Sequence, residues 1–244
     1  MYSHRDALGP VDLAFTDRYG GVSGVPFDSL NLAITGEDDA ASRAENLRLV
    51  LADFAPGATV ADLHQVHGAR VHVVGDTPTG PRPEADGIVT DRPDVVLVVR
   101  AADCVPVLLA DPEAGVIGAA HAGRPGLAAG VVVRTVERMR ELGAARITAW
   151  VGPHVCGACY EVPEAMQAEV AAIEPASAAT TSWGTPALDI GAGVRAQLER
   201  AGVAVVDASR CTRESPDLYS YRRDGQAAGR LAGLVRLHDR AEVG

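Results

Sequence analysis

Three short segments set a side chain with metal-binding or nucleophilic chemistry at the end of an apolar run. They are Leu63-His64-Gln65-Val66-His67-Gly68, Arg100-Ala101-Ala102-Asp103-Cys104-Val105-Pro106 and Ala119-Ala120-His121-Ala122-Gly123. Together His67, Cys104 and His121 make a Cys/His₂ donor set, which suits zinc with a fourth position open to water or substrate. Their wide spacing matches no compact zinc-finger pattern, so convergence depends on the fold. On spacing alone, a buried core thiol and two satisfied histidines remain the commoner outcome. His64 lies three residues from His67; in a strand the two point to opposite faces, which makes His64 a structural or supporting residue. Asp103 either orients a ligand or caps a strand end.

Other residues invite chemistry more weakly. Cys156-Gly157-Ala158-Cys159 is a Cys-x-x-Cys, open to a redox or zinc reading. No second such pair follows and Cys211 is isolated, so a structural or incidental role is expected of Cys156 and Cys159. Arg222-Arg223 could clamp a phosphate bidentately or sit as a solvated basic pair. All 22 basic residues are arginine. The lack of lysine excludes Schiff-base lysine chemistry, a pyridoxal phosphate anchor and a P-loop lysine.

The elements that must position these residues alternate between apolar strands and helices. Strands are expected at 11–15, 60–66, 71–74, 87–90, 95–100, 105–110, 116–120, 147–151 and 203–206. The 95–99 and 105–110 runs are almost wholly apolar, as in strands covered on both faces. Asp38 and Asp39 can cap a helix reaching about residue 54, with Leu47, Val50, Leu51 and Phe54 at helical spacing. Further helices are expected at 126–142, 163–173, 190–200 and 225–237. The low-complexity stretch 171–181 reads as an exposed connection. With no repeat and no linker, residues 1–244 are expected to form one α/β domain.

Composition narrows the function classes. The chain has 244 residues, 47% of them hydrophobic, and a formal net charge of −10. A chain of that size buries enough surface to fold without a disulfide or metal staple. The negative charge argues against nucleic acid as a partner. The N-terminus lacks the basic and apolar blocks of a signal peptide, and no apolar run of about 18 residues suggests a membrane span. Four cysteines without an export signal read as reduced thiols, and a cytoplasmic location is expected.

In their combined order, several motifs resemble the laccase-domain family, also called YfiH-like or peptidoglycan-editing-factor proteins. They are Arg18-Tyr19-Gly20-Gly21-Val22-Ser23, Ser29-Leu30-Asn31-Leu32, the three segments above, Cys159-Tyr160-Glu161-Val162 and Asp217 through Gly225. The resemblance covers nearly the whole chain. It implies a layered α/β/β/α sandwich with mixed sheets, and it places the family's three zinc ligands on His67, Cys104 and His121. It also implies phosphate- and nucleoside-handling positions at Arg18, Asn31, Asn46 and Arg222. The chain departs from the family pattern in three places. Arg124-Pro125-Gly126 stands where Trp-Arg-Gly usually follows His-Ala-Gly; Asn46-Leu47 replaces an Asn-Arg pair, with Arg48 one step on; and Cys156 is extra.

The family's laccase label fails a physical test. A multicopper oxidase needs on the order of ten histidines, mostly in His-x-His pairs. This chain has seven histidines and no such pair. Copper could displace zinc from a Cys/His₂ site in vitro and give weak oxidase activity. The resemblance implies instead a zinc-dependent purine nucleoside phosphorylase of broad specificity, acting on adenosine, inosine, guanosine and methylthioadenosine. Adenosine deamination is a further activity it implies. Two other classes stay open: a cysteine hydrolase with Cys104 as nucleophile and His121 as base, and an editing role on peptidoglycan precursors. For the phosphorylase, small-molecule nucleoside and phosphate are the partners. Because the overall charge repels a phosphoryl anion, arginines must build a local positive patch. Arg222 and Arg48 are the candidates, with Arg222 expected to face the pocket and Arg223 to be structural.

Overall fold

Strands β1 (Tyr2–Leu8) and β2 (Val11–Thr16) and helix α1 (Ala40–Phe54) open the chain in a computed structural model, which describes residues 1–75 and 81–238. Next come β3 (Thr59–Asp62), β4 (Val71–Val73), β5 (Gly87–Thr90), β6 (Val95–Ala101), β7 (Val105–Asp111) and β8 (Val116–Ala122). Helices α2 (Arg124–Ala128) and α3 (Val131–Glu141), strand β9 (Thr148–Val151) and helix α4 (Glu164–Ile173) follow. The last third holds β10 (Ala178–Thr180), β11 (Pro186–Leu188), α5 (Ile190–Arg200), β12 (Ala204–Asp207), α6 (Tyr221–Asp224) and β13 (Leu231–Leu237).

Two mixed sheets result, in the orders β1-β2-β13-β6-β3 and β12-β9-β7-β8-β5-β4, with β10 and β11 as a separate ribbon. Strict alternation along the central strands sorts their side chains into layers. Leu97 and Val99 of β6 meet Leu108 and Ala110 of β7 and Ile117 and Ala119 of β8 between the sheets. The opposite parity, Val96 and Val98, packs under α1 with Val50 and Phe54. Val107, Leu109, Ala120 and Ala122 pack under α2, α3 and α5. The outcome is the expected α/β/β/α sandwich. Each buried Val or Leu contributes roughly 1.5–3 kcal/mol, and most of that comes from these three layers. Space is tight: a Cβ at Gly152 would lie 2.3 Å from the Phe15 ring, so that position takes only glycine.

Several local expectations need correction. The 225–237 segment is not a helix; its second half is β13, buried at the centre of the five-stranded sheet between β2 and β6. A short apolar run covered on both faces has no alternation, so its period does not separate strand from helix. The helix expected over 126–142 is two helices, broken where Gly130 takes φ +75°. The 60–66 strand ends at Asp62. Strand β1 was not expected; it carries polar His4, Arg5 and Asp6 at a sheet edge. The 171–181 stretch is not one loop, since it includes the end of α4 and β10. The capping expectation holds, with Asp39 accepting the Ser42 N–H at 2.7 Å. Among the described residues, no helix is long and apolar enough to cross a membrane.

Register delivers the three chemical segments to one end of the sandwich. β7 and β8 pair so that Pro106 faces His121 and Val105 faces Ala122, which brings Cys104 level with Gly123. The parity that sends Leu108 and Ala119 between the sheets sends Cys104 and His121 to the same side. β5 pairs with β8 just beyond Asp86, whose carbonyl accepts the His121 N–H at 2.7 Å.

Candidate active site

His67, Cys104 and His121 converge, with ligand atoms all within 4.8 Å of one another. The two imidazole rings stand edge to face with centroids 4.9 Å apart. His121 is buried, Cys104 half-buried and His67 exposed, so the set is anchored on one side and open on the other. Gly123 supplies the room: a Cβ there would lie 2.8 Å from His67 Cδ2 and 3.1 Å from Cys104 Sγ. Gly123→Ala is therefore expected to push these two ligands apart and lower metal retention, read as metal per chain after dialysis. Retention equal to wild type would contradict the packing argument.

Asp86 organises the set. Its buried carboxylate accepts the backbone N–H groups of Val66, His67 and Gly68 at 3.2, 3.0 and 2.7 Å. These bonds hold His67 at φ +60°, a costly conformation for a non-glycine residue. Asp86 Oδ1 also stands 2.9 Å from His121 Nδ1, which fixes the tautomer and leaves Nε2 free to ligate. Burial raises the Asp86 pKa, but His121 and the N–H groups of Gly68 and Val66 outweigh it and hold the carboxyl below its ordinary value.

The electrostatics suit a metal. Burial would raise the Cys104 thiol, yet the charge and hydrogen bonds of His121 and His67 bring it down to about 6. Burial would lower His121, yet the Cys104 thiolate and Asp86 lift it to about 9. Between those values the metal-free protein holds a thiolate–imidazolium pair. The thiolate ligand is already formed, and a metal has only to displace the His121 proton. The thiolate is lost as pH falls through about 6. In metal-stripped protein, Cys104 alkylation by iodoacetamide should therefore show its midpoint near 6, and His121→Gln should move it upward. A wild-type midpoint at the ordinary thiol value would refute the pairing.

The open side of the set faces a cleft of about 760 Å³, within the usual range for small-molecule sites. Arg124, Arg222 and Arg230 line it together with Tyr160 and Tyr221. Arg222 packs its guanidinium 4.4 Å from the centre of the Tyr160 ring. Its backbone N–H donates to Asp103 Oδ2 at 2.6 Å, and Thr212 Oγ1 donates to Asp103 Oδ1 at 2.6 Å. Asp103, at φ +89°, lies at the cleft wall and ties the Arg222 segment to the Cys104 turn. Arg230 is pushed below the usual guanidinium range by burial, against the pull of Cys104 and Asp103.

Arg222 faces the cleft as expected, and Arg223 is structural, its guanidinium spent on Asp224 and on the carbonyls of Thr212, Ser215 and Leu218. The structure places the other expected anion-site residues off this cleft wall. Arg48 lies on the exposed face of α1 and pairs with Glu45 at 2.7 Å, because one residue rotates a helical side chain by about 100°. Asn46 is buried and saturated, its amide donating to Ser23 Oγ and the Ser29 and Asn31 carbonyls while accepting the Val22 N–H. Arg18 clamps the Asp28 carbonyl at 2.8 Å and stacks on Tyr219. Asn31 is not on the cleft wall either, but its Oδ1 accepts the Arg230 N–H at 2.9 Å and so positions that arginine. His64 lines the cleft instead of backing it, because its segment is a loop and the opposite-face argument does not apply.

Asp86, Arg230 and Tyr221 take roles at the site that the sequence alone does not signal. Asp86 had no motif to betray it; only the β5–β8 register puts it beside His121. Arg230 fell inside the segment read as helix. Cys211, isolated in the sequence, lies beside Cys156 and Cys159 in space.

A family model described as multi-copper polyphenol oxidoreductase laccase matches residues 12–238. A Streptomyces coelicolor protein named purine nucleoside phosphorylase SCO2081 is 55% identical over 243 residues, covering 97% of this chain and all of that one. The Escherichia coli purine nucleoside phosphorylase YfiH is 37% identical over 225 residues, covering 90% and 91%. Among solved structures, Neisseria meningitidis protein NMB0706 superposes with a TM-score of 0.85 at 33% identity, covering 96% of each chain. YlmD from Geobacillus stearothermophilus gives 0.85 at 29% identity, covering 97% and 98%.

Proposed function

The chain belongs to the laccase-like family of the multi-copper polyphenol oxidoreductase model, with relatives named purine nucleoside phosphorylases, and from that premise we propose that it is a zinc-dependent purine nucleoside phosphorylase of broad specificity. One observation carries the reading: a Cys/His₂ donor set opens onto a cleft where Arg124, Arg222 and Arg230 stand with Tyr160 and Tyr221, in a chain of net charge −10. A patch of that kind draws an anion to a place the overall field would deny it.

The donor chemistry fits zinc: one thiolate, two imidazoles, and a carboxylate behind one of the imidazoles. Bound there, zinc supplies Lewis acidity toward a phosphoryl or water oxygen and leaves a position for it. The remaining work falls to the protein. Arg222 and Arg230 bind the phosphate and orient one oxygen toward C1′ of the nucleoside. Tyr160 and Tyr221 offer ring faces to the purine. As the C1′–O bond forms, the C1′–N9 bond breaks; the purine leaves with the electron pair and takes up a proton, and the sugar leaves as its 1-phosphate. Holding phosphate and nucleoside in one cleft supplies the proximity such a displacement needs.

The test is a panel of adenosine, inosine, guanosine and methylthioadenosine with zinc-loaded protein, with and without phosphate. Base release is expected only with phosphate. Ammonia from adenosine would add the deaminase activity. No nucleoside turnover at all would sink the reading.

A second reading has its own observation: Cys104, His121 and Asp86 stand in the order nucleophile, base and orienter, with Cys104 brought down to about 6. Chelation separates the two. A cysteine hydrolase gains activity when metal is stripped, whereas the phosphorylase loses it.

A further inference from the structure

A second cluster of metal-ligating side chains lies outside the cleft. Cys156, Cys159, Cys211 and Glu214 bring their ligand atoms within 4.8 Å of one another. They come from two turns with the same spacing, Cys156-Gly157-Ala158-Cys159 and Cys211-Thr212-Arg213-Glu214. In the first turn the Cys159 and Tyr160 N–H groups donate to the Cys156 carbonyl at 3.0 and 3.1 Å; in the second the Ser215 N–H donates to Cys211 at 3.0 Å. A parallel bridge between His154 and Cys211 sets the turns side by side. Such paired turns, each giving two ligands at a spacing of three, are how tetrahedral zinc sites are commonly built.

We propose that these four residues form a second metal site, a closed structural zinc centre with three thiolates and one carboxylate. The Cys159 Sγ to Glu214 Oε1 distance is 3.4 Å, close to the roughly 3.5–3.8 Å edge of a tetrahedron with Zn–S of 2.3 Å and Zn–O of 2.0–2.2 Å. Three sulfur donors select zinc over magnesium or calcium. Three thiolates and a carboxylate leave the centre with excess negative charge. Arg213 lies within hydrogen-bond reach of Cys159 and stacks 4.9 Å from the Trp183 ring, placing a fixed cation beside it.

Position gives the centre its role. Cys159 precedes Tyr160, whose ring carries the Arg222 guanidinium. Cys211 precedes Thr212, which holds Asp103 and through it the Arg222 backbone. A metal joining the two turns would clip together the wall of the cleft that bears Tyr160 and Arg222. Binding releases the thiol protons to solvent and involves no redox step. The inference stands apart from the nucleoside reading, since it concerns metal content alone.

The experiment counts zinc in protein purified anaerobically with reductant. Wild type should carry two zinc ions per chain. Cys104→Ala, folded by circular dichroism, should carry one, and adding Cys156→Ser and Cys211→Ser should take it to none. Cobalt(II) added to metal-stripped Cys104→Ala should give the intense visible bands of tetrahedral thiolate–cobalt. Wild type whose single zinc is lost in folded Cys104→Ala, or folded Cys104→Ala with none and no such cobalt spectrum, overturns the site; a single zinc that Cys104→Ala retains supports it and counts against the other set. A native mass two daltons below the reduced value, showing a disulfide among these cysteines, overturns it as well.

Discussion

Replacing Cys104 with alanine is expected to strip metal from the His67/Cys104/His121 set and to lower phosphorolysis by more than about a hundredfold, beyond the ~10–100-fold typical of changes one layer removed from a metal. Cys104 is the sole anionic ligand of the three, and its thiolate is maintained by His121 and His67 against the cost of burial. Without it, two imidazoles remain, one exposed, and a divalent ion loses its strongest donor. Asp86→Asn provides the graded comparison. It keeps the shape but removes the charge that fixes His121 and part of what gathers the Val66, His67 and Gly68 N–H groups. Metal affinity should fall by about 10–100-fold, with activity restored at high zinc. Metal titration alongside initial rates checks both variants. A Cys104→Ala protein with wild-type turnover would remove the metal centre from the reaction.

The second large effect concerns phosphate. Arg222→Ala should raise the KM for phosphate by about 10–100-fold, because a hydrogen bond to a charged group contributes about 1.5–3 kcal/mol. Bound metal should stay at the wild-type level, since Arg222 is held through Asp103 and Tyr160 and not through the three donors. Arg230→Ala should act in the same direction. Arg222→Lys should rescue only part of the loss, because a point charge does not reproduce the planar fork. Arg48→Ala is the control, as its guanidinium is paired with Glu45 on the exposed face of α1. An unchanged phosphate KM in both cleft variants would dissolve the anion site.

The meeting of His67, Cys104 and His121 was legible because these residues end apolar strands or follow one closely, and the motif order resembles a known family. The layered fold was legible for the same reason, since β6 and β7 are apolar on both faces. Residues whose roles arise only through register or tertiary pairing were not. Asp86 sits in an unremarkable Glu-Ala-Asp-Gly stretch until β5 pairs with β8. Arg230 reads as the interior of a helix until Leu231–Leu237 is seen as a central strand. Asn46 and Arg18 are polar residues in family-like motifs, and their motifs are kept together by the fold: both spend their hydrogen bonds on the loop that precedes α1. Arg48 fails for a local reason, the rotation of one helical step. Cys211 joins Cys156 and Cys159 only because His154 and Cys211 bridge.

The most direct test of phosphorolysis is the fate of C1′ when inosine and phosphate react in water enriched in ¹⁸O. Hypoxanthine matched mole for mole by ribose 1-phosphate, with no solvent oxygen at C1 of the sugar, is the expected result. Free ribose carrying ¹⁸O, formed at the same rate without phosphate, would contradict it and make the protein a hydrolase.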